Sequence, residues 1–431
     1  MMNGNNKYDV VVIGGGTSGV SCAWNCAKHG LKTLIVEKNS FLGGSITSSL
    51  VIPAMKTSDN SINNEFYDTL YKKLEELNGA ITYQDGNKGW FNPELTKIVL
   101  DIMMKEADVD VYYEHVVNNV KIENKKILSI NIDTIDNNNT NIDKNKLSLP
   151  IESRYYVDGT GNAKFFEKIN CEFLENFAEN SQPVNLRFIM SGINVNKFSK
   201  WLMRFDKDRD VTTACTVNDN IYLSTAYTWD TNREWALKPL FKRAIEEGVL
   251  TEEDANYFQA FSVAGTPDSI AFNAPRLLNI DKTSSELYQE GRLSILRISQ
   301  FCKKYLPGFE KSYISSIANS LGIRVSNRIK GRYIYTYEDL IAGKTFENPV
   351  LISNYPVDIH SKDKNSSTLE KVYKEYQLPV EALISADYDN LFAVGRCISA
   401  DFKAQAALRI IPSCFSMGEG LAKYIYKNIK E

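Results

Sequence analysis

Residues Lys7 to Lys38 read KYDVVVIGGGTSGVSCAWNCAKHGLKTLIVEK. Tyr8 to Ile13 is a β-branched run that ends in Gly14-Gly15-Gly16. Val20 to His29 carries the small and apolar residues of a helix packed on a sheet, and Gly30 stops it. Leu31 to Val36 reads as the next strand, so strand, glycine turn, helix and strand follow within about 30 residues, the size of a parallel βαβ unit. In Gly14-Gly15-Gly16-Thr17-Ser18-Gly19 the spacing is GxGxxG. It serves a tight turn, backbone approach to a pyrophosphate and close packing of helix on strand. Glu37 closes the second strand about 20 residues on, where a carboxylate accepts both ribose hydroxyls of an adenosine. The segment predicts an adenine-dinucleotide site. A kinase also uses a Gly-rich loop, but HRD and DFG motifs are absent from the chain.

Outward from this unit, Phe41-Leu42-Gly43-Gly44-Ser45 supplies a second glycine pair, which lets the backbone lie under a phosphate or ribityl chain. Ser61 to Leu77 predicts an amphipathic helix with Phe66, Leu70, Leu74 and Leu77 on one face. Asn92 as N-cap and Pro93 at the first helical position open another, with Leu95, Val99, Ile102 and Met103 as its apolar stripe. Val109 to Tyr113 reads as a strand. Val116 to Ile135 reads as a hairpin broken at Glu123 to Lys126, and the Asn-rich tract Asp136 to Asn145 as an exposed tip. Leu147 to Val157 returns as a strand into Asp158-Gly159-Thr160-Gly161. Mixed strands and helices follow from about Cys171, among them the strands Asn185 to Met190 and Ile221 to Ala226 and the helix Glu234 to Glu247. A late strand, Asn390 to Val394, then leads to Gly395 and the helix Pro412 to Lys427.

At 431 residues the chain exceeds the roughly 250 to 300 residues at which single cores stop growing, so two domains are expected. A 43% hydrophobic and 24% charged composition is that of a globular protein. The net charge of -3 carries no electrostatic footprint for nucleic acid, and no basic amphipathic helix points to a membrane surface. Apolar runs fall short of the roughly 20 residues of a membrane span, and MMNGNNKYD lacks the regions of a signal peptide, so a cytoplasmic location is expected. Seven cysteines at irregular spacing, without CxxC, make no disulfide framework and no metal site. Cys22 and Cys26, one helical turn apart, read as small packing residues.

The run from Val11 to Gly44 resembles the opening of the FAD-dependent oxidoreductase family related to the glutathione-reductase-like flavoproteins. Four further blocks resemble the same family: Asp158 to Asn162 (DGTGN), Ala271 to Phe309, Leu321 to Leu340 (LGIRVSNRIKGRYIYTYEDL), and Asn390 to Gly420 with GRCISADFKAQAALRIIPSCFSMGEG. The resemblance implies an α/β fold: a Rossmann-like FAD-binding domain, residues 1–170 and 385–431, with an inserted α+β substrate domain, residues 171–384. It implies that Gly14, Gly16, Thr17, Ser18 and Gly19 hold the pyrophosphate, and Glu37 with Lys38 the adenosine ribose. Gly43, Gly44 and Ser45 take the stretch towards the flavin, and Val117 contacts adenine through its backbone. Gly159, Thr160 and Gly161 pass near the adenine end, and Gly395 and Arg396 meet the ribityl or phosphate region. Many relatives carry an acidic residue where Arg396 stands. The helix that opens at Ile411 and Pro412 would aim its N-terminus at the pyrimidine edge of the flavin, an effect typically below ~2 kcal/mol.

The implied function is flavin-dependent redox chemistry: hydride transfer between flavin N5 and a small organic substrate, with oxygen, nicotinamide or a redox protein as external electron acceptor or donor. A flavin monooxygenase and an FAD-containing electron-transfer subunit are the alternatives, the WxWxIP sequence of flavin halogenases being absent. Arg324 and Arg328, four apart on one helix face or in a cleft, are candidates to bind an anionic substrate. His360 and Asp401 are the candidates for proton transfer. Cys397 reads as a packing residue.

Overall fold

The computed structural model describes residues 6–82, 88–135, 150–175, 181–228, 235–278, 281–360 and 367–431. The Asn-rich tract expected as a hairpin tip lies outside the described residues.

The quoted unit folds as read: strand Lys7–Ile13, helix Thr17–Lys28 and strand Thr33–Glu37, with Val10 paired in parallel to Thr33. It is the middle of a seven-stranded sheet. Asp110–Tyr113 pairs in parallel on the far side of Thr33–Glu37. Ile151–Asp158 pairs in parallel with Lys7–Ile13, placing Tyr155 opposite Val10. The opposite edge of Ile151–Asp158 is shared: Glu152 faces Ser129 of the antiparallel hairpin His115–Glu123 and Lys126–Thr134, whereas Tyr156 faces Leu391 of the late strand Leu391–Ala393. The chain thus returns to its first sheet, the α/β arrangement expected. Val10, Val11 and Val12 have no exposed surface: Val10 and Val12 pack with the helices of one face, and Val11 packs with Ile127, Ile130 and Ile132 of the hairpin and with Phe165 and Phe166.

Local signals explain the flanking helices. Asn92 Oδ1 accepts from Glu94 N and Leu95 N at 3.0 and 3.2 Å, and Pro93 opens the helix Pro93–Glu106. Its buried stripe is Thr96, Val99, Leu100 and Met103, while Ile102 is exposed, a correction to the expected face. One residue of rotation separates the two readings; both fit a 3.6-residue period, and packing selects the set beginning at Thr96. The helix Glu65–Glu76 likewise buries Phe66, Leu70 and Leu74 but exposes Leu77 just beyond its end. Cys22 and Cys26 are fully buried in the first helix.

A second, six-stranded antiparallel sheet runs in the order Thr212–Val217, Asn220–Thr228, Tyr257–Val263, Thr266–Phe272, Phe188–Ser191, Tyr313–Ile317. Aromatic packing holds it to its helices: Phe258 of the sheet meets Phe241 of the helix Lys238–Glu246 at 5.3 Å, and Phe241 meets Phe301 of the helix Ser284–Tyr305 at 4.3 Å. Its core runs from Val184 to Leu321 and takes in Leu50 and Ile52. Tyr335, Leu340, Val350, Tyr376 and Leu378 instead share a core with Val10, Val12 and the final helix Ile411–Lys430. Apolar side chains from about 335 to 384 thus pack with the dinucleotide sheet.

Candidate functional site

The end of the first strand and the start of its helix are closed by backbone. Gly14 N donates to Val36 O and Gly159 N to Ile13 O, both at 2.8 Å, so the turn is hung between its two neighbouring strands. Gly14 stands at φ +96°, and a Cβ there would lie 2.7 Å from Thr160 N. A Cβ on Gly159 would lie 2.4 Å from Gly14 O, and one on Gly19 would lie 2.2 Å from the same oxygen. Only hydrogen fits at these positions. The helix itself begins at Thr17 with Gly16 as N-cap, no side-chain cap and no acidic residue in its first turn. Its first amides are left to a ligand, and the dipole favours an anion there.

The second glycine pair lies directly against this turn. Gly43 N donates to Gly15 O at 2.8 Å, Thr17 Oγ1 donates to Gly43 O at 3.2 Å, and Thr17 Oγ1 and Ser45 Oγ are 3.2 Å apart. Glu37 is buried, with Oε2 accepting from Gly15 N at 2.7 Å and Oε1 from Asn39 N and Nδ2 at 2.8 and 2.7 Å. Burial raises its pKa, and the Asn39 and Gly15 bonds oppose the rise. Oε1 uses both its lone pairs on Asn39, and Oε2 keeps acceptor capacity beyond its one bond. Lys38 is exposed. Val117 lies on the strand His115–Glu123, which starts beside the loop after Glu37 because Glu114 N donates to Asn39 O at 3.3 Å.

Asp158, which the sequence marked only as the head of a block, organises the neighbouring loop. It has no exposed surface; Oδ1 accepts from Thr160 N at 2.9 Å and Thr160 Oγ1 at 2.6 Å, and Oδ2 from Phe165 N at 2.9 Å. Burial raises its pKa against those bonds. Thr160 Oγ1 in turn accepts from Lys164 N at 3.0 Å, and Gly159 lies on the dinucleotide turn. Arg396 covers Gly161: its guanidinium would stand 3.2 to 3.4 Å from a Cβ there, and Nη2 donates to Asn162 Oδ1 at 2.6 Å. Burial lowers its pKa. Gly395 faces Ser18. The final helix begins at Ile411 without a side-chain cap and binds the first through Ser21 Oγ, which donates to Phe415 O at 2.8 Å. Ser413 Oγ, in its first turn, is buried without a hydrogen-bond partner among the described residues.

The four predicted substrate and proton-transfer residues fall into two groups. Arg328 donates to Ala400 O at 3.1 Å and Glu175 O at 3.0 Å, and neighbouring Asp401 caps the helix Phe402–Leu408. Asp401 Oδ1 accepts from Ala404 N at 2.8 Å and Oδ2 from Tyr337 N at 2.6 Å, so both oxygens bind backbone. Arg324 and His360 stand elsewhere, in a cluster with Arg187, Tyr257, Asp358 and Arg409. Arg324 Nη1 donates to Pro183 O at 2.6 Å; His360 Nε2 is 3.4 Å from Asp358 Oδ1, and its ring meets Tyr257 edge-on at 5.6 Å. Residues 323–328 are irregular, so the shared helix face considered for Arg324 and Arg328 does not exist, and the two guanidiniums bind different carbonyls.

Charge sets the protonation states in this cluster. Burial and then Arg324 push His360 down to about 4, against the pull of Asp358. Burial works to raise Asp358, but His360, Arg409 and Arg324 outweigh it and hold the carboxyl below its usual range. Burial with Arg324 thus keeps His360 neutral near pH 7, and Asp358 stays ionised. Arg187, Tyr257, Asp358 and Arg409 had no signal in the sequence, since each sits in an ordinary strand or loop far from the others.

A family model described as FAD dependent oxidoreductase matches residues 9–430. Curated relatives align over shorter stretches. The soluble pyridine nucleotide transhydrogenase of Chromohalobacter salexigens is 49% identical over 101 residues, 22% of this chain and 20% of that protein. The mitochondrial dihydrolipoyl dehydrogenase of Schizosaccharomyces pombe is 44% identical over 59 residues, 14% of this chain and 12% of that protein. The first curated relatives are matched over only 10% to 25% of their length. Among solved structures, a geranylgeranyl bacteriochlorophyll reductase-like protein of Thermoplasma acidophilum has a TM-score of 0.48 at 14% identity, over 98% of this chain and 79% of that one. A flavin-dependent brominase has 0.46 at 13%, over 98% and 80%. Likeness at this depth says nothing about the reaction.

Proposed function

Because the chain belongs to the FAD dependent oxidoreductase family, we propose that it transfers hydride between FAD and a small organic substrate, and exchanges electrons with an external partner: oxygen, nicotinamide or a redox protein. The single observation that carries this reading is the closure of the Gly14 turn by Gly43 and Gly159, with an uncapped helix N-terminus on it. The residues fit FAD: side chains are excluded where a pyrophosphate needs backbone, Glu37 keeps acceptor capacity for a ribose, and buried Ser413 Oγ awaits a partner at the head of the final helix. When bound, FAD supplies the hydride chemistry at N5.

This chain's own residues then bind and orient. Gly14, Gly16, Thr17, Ser18 and Gly19 hold the diphosphate, Glu37 with Lys38 the ribose, and the Val117 backbone the adenine. Gly43, Gly44 and Ser45 lead to the flavin, Gly159, Thr160 and Gly161 pass near the adenine end, Gly395 and Arg396 meet the ribityl or phosphate region, and Ile411 opens the helix aimed at the flavin. Between the two proton-transfer candidates, His360 is preferred: it is neutral near pH 7 and hydrogen-bonded to Asp358, whereas Asp401 is occupied by two backbone amides. Arg328 is assigned to holding loops. Purified protein with a flavin spectrum, bleached anaerobically by a small organic compound, supports the proposal. Colourless protein that cannot be reconstituted with FAD overturns it, and bleaching only by a protein partner replaces it with an electron-transfer role.

A further inference from the structure

Arg409 and Arg324, from separate parts of the chain, both act on one described carboxylate, Asp358, while Arg187 lies within electrostatic reach of Arg324 and Arg409, and Arg276 within reach of Arg324. Arg409 Nη2 donates to Asp358 O and Oδ2 at 3.0 and 3.1 Å, and its Nε is buried with no hydrogen-bond partner among the described residues. Arg324, 9% exposed, donates to a carbonyl and reaches no carboxylate of the described residues by ion-pair contact. Arg187 is half-buried, with a long 3.5 Å bond to Leu50 O. With Asp358 ionised and His360 neutral, the described groups of the cluster carry an excess of positive charge, and enclosing uncompensated charge is costly. The mutual repulsion is registered on the arginines themselves: burial and then Arg324 push Arg187 down to about 9, although both stay charged near neutrality.

Three connections place this excess beside the flavin end of the cofactor site. Arg187 meets the backbone of Leu50, just past the Gly43 to Ser45 loop. Arg409 stands two residues before the head of the final helix. Gln405 Nε2 donates to both Arg324 O and Arg396 O, at 3.1 and 3.2 Å, tying the cluster to the Gly395 loop. Gln182, whose Oε1 accepts from His360 N at 3.0 Å, has its Nε2 buried without a partner among the described residues, so a donor is also left over.

We infer that Arg187, Arg324 and Arg409 recognise the carboxylate of a small organic acid, which is the substrate class of the oxidoreductase proposed above. The guanidinium fork matches a carboxylate in two parallel bonds, and the acid supplies the charge that Asp358 alone does not. His360, inside the same cluster, then lies beside the bound acid. The inference rests on the flavin reading for its catalytic meaning but not for the binding itself.

The test titrates acetate, benzoate and succinate, each against its neutral amide and against sulfate at equal ionic strength. Two readouts are followed: perturbation of the visible flavin band in FAD-loaded protein, and the melting temperature of loaded and FAD-free protein. At least one acid is expected to saturate both readouts while its amide moves neither. Arg324→Gln and Arg187→Gln are expected to weaken that acid about tenfold or more, and exposed Arg292→Gln not at all. If Arg324→Gln does not fold, Arg324→Lys takes its place, since it keeps the charge and loses the fork. No acid binding, sulfate binding as tightly as every acid, or unchanged affinity in the variants overturns the inference. Failure to take up FAD overturns the flavin reading instead, and the melting readout still judges the arginine site.

Discussion

Arg409 holds Asp358 twice, through the backbone oxygen at 3.0 Å and Oδ2 at 3.1 Å, and so fixes the strand Val357–His360 to the head of the final helix. The side chains are 15% and 21% exposed, enough burial for loss of one partner to strand the other. Asp358→Ala is expected to cost about 2 to 4 kcal/mol, and Arg409→Met combined with it less than the sum of the single losses. Urea denaturation of the four proteins checks this, and an unmoved midpoint in Asp358→Ala would refute it.

His360 makes stability depend on pH. Its pKa is about 4 in the folded chain against an ordinary 6.5, so the unfolded chain binds more protons between these values. Stability present above pH 6.5 is therefore lost as the pH falls towards about 4. Asp358, held low, adds its own loss only below the ordinary carboxyl range, and the raised Glu37 and Asp158 act in the opposite sense. The difference between wild type and His360→Gln isolates the histidine. That difference should grow steadily over the window in melting curves; a flat one sinks the assignment.

Two glycines with positive φ separate site from turn. Gly14→Ala meets Thr160 N at 2.7 Å and is expected to abolish or sharply weaken FAD uptake, whereas at Gly30, with φ +82°, a Cβ would have nothing within 4 Å. Gly30→Ala should cost only about 1 kcal/mol of stability, from its backbone conformation, and leave FAD affinity intact. Fluorescence titration of FAD into both variants decides, and equal losses would contradict the distinction.

Glu37→Gln keeps the size of the side chain but removes the charge that Gly15 N and Asn39 bind. FAD affinity should fall by roughly 1 to 3 kcal/mol. Binding isotherms that superimpose on wild type would remove Glu37 from the ribose site.

Asp401→Ala removes an N-cap and the bond to Tyr337 N, and should cost about 1 to 2 kcal/mol of stability. Once a substrate is in hand, its flavin-reduction rate should stay near wild type while that of His360→Gln falls. The reverse order, in stopped-flow reduction, would return the proton-transfer role to Asp401.

The sequence alone determined the dinucleotide unit. Its information is local: a β-branched run, glycines at fixed offsets and a carboxylate at the next strand end are set by turn geometry and packing within one βαβ unit. The Asn92 cap and the hairpin about Glu123 were legible for the same reason. Where two readings differed by one residue of helix rotation, as at Ile102, only packing chose between them. The charged cluster was decided by tertiary structure. Arg187, Arg324, Asp358 and Arg409 come from four separate segments, and Arg324 and Arg328, four residues apart, bind different carbonyls because the chain between them is irregular rather than helical. A charge acts over ångströms of space, which the spacing of residues along the chain does not record.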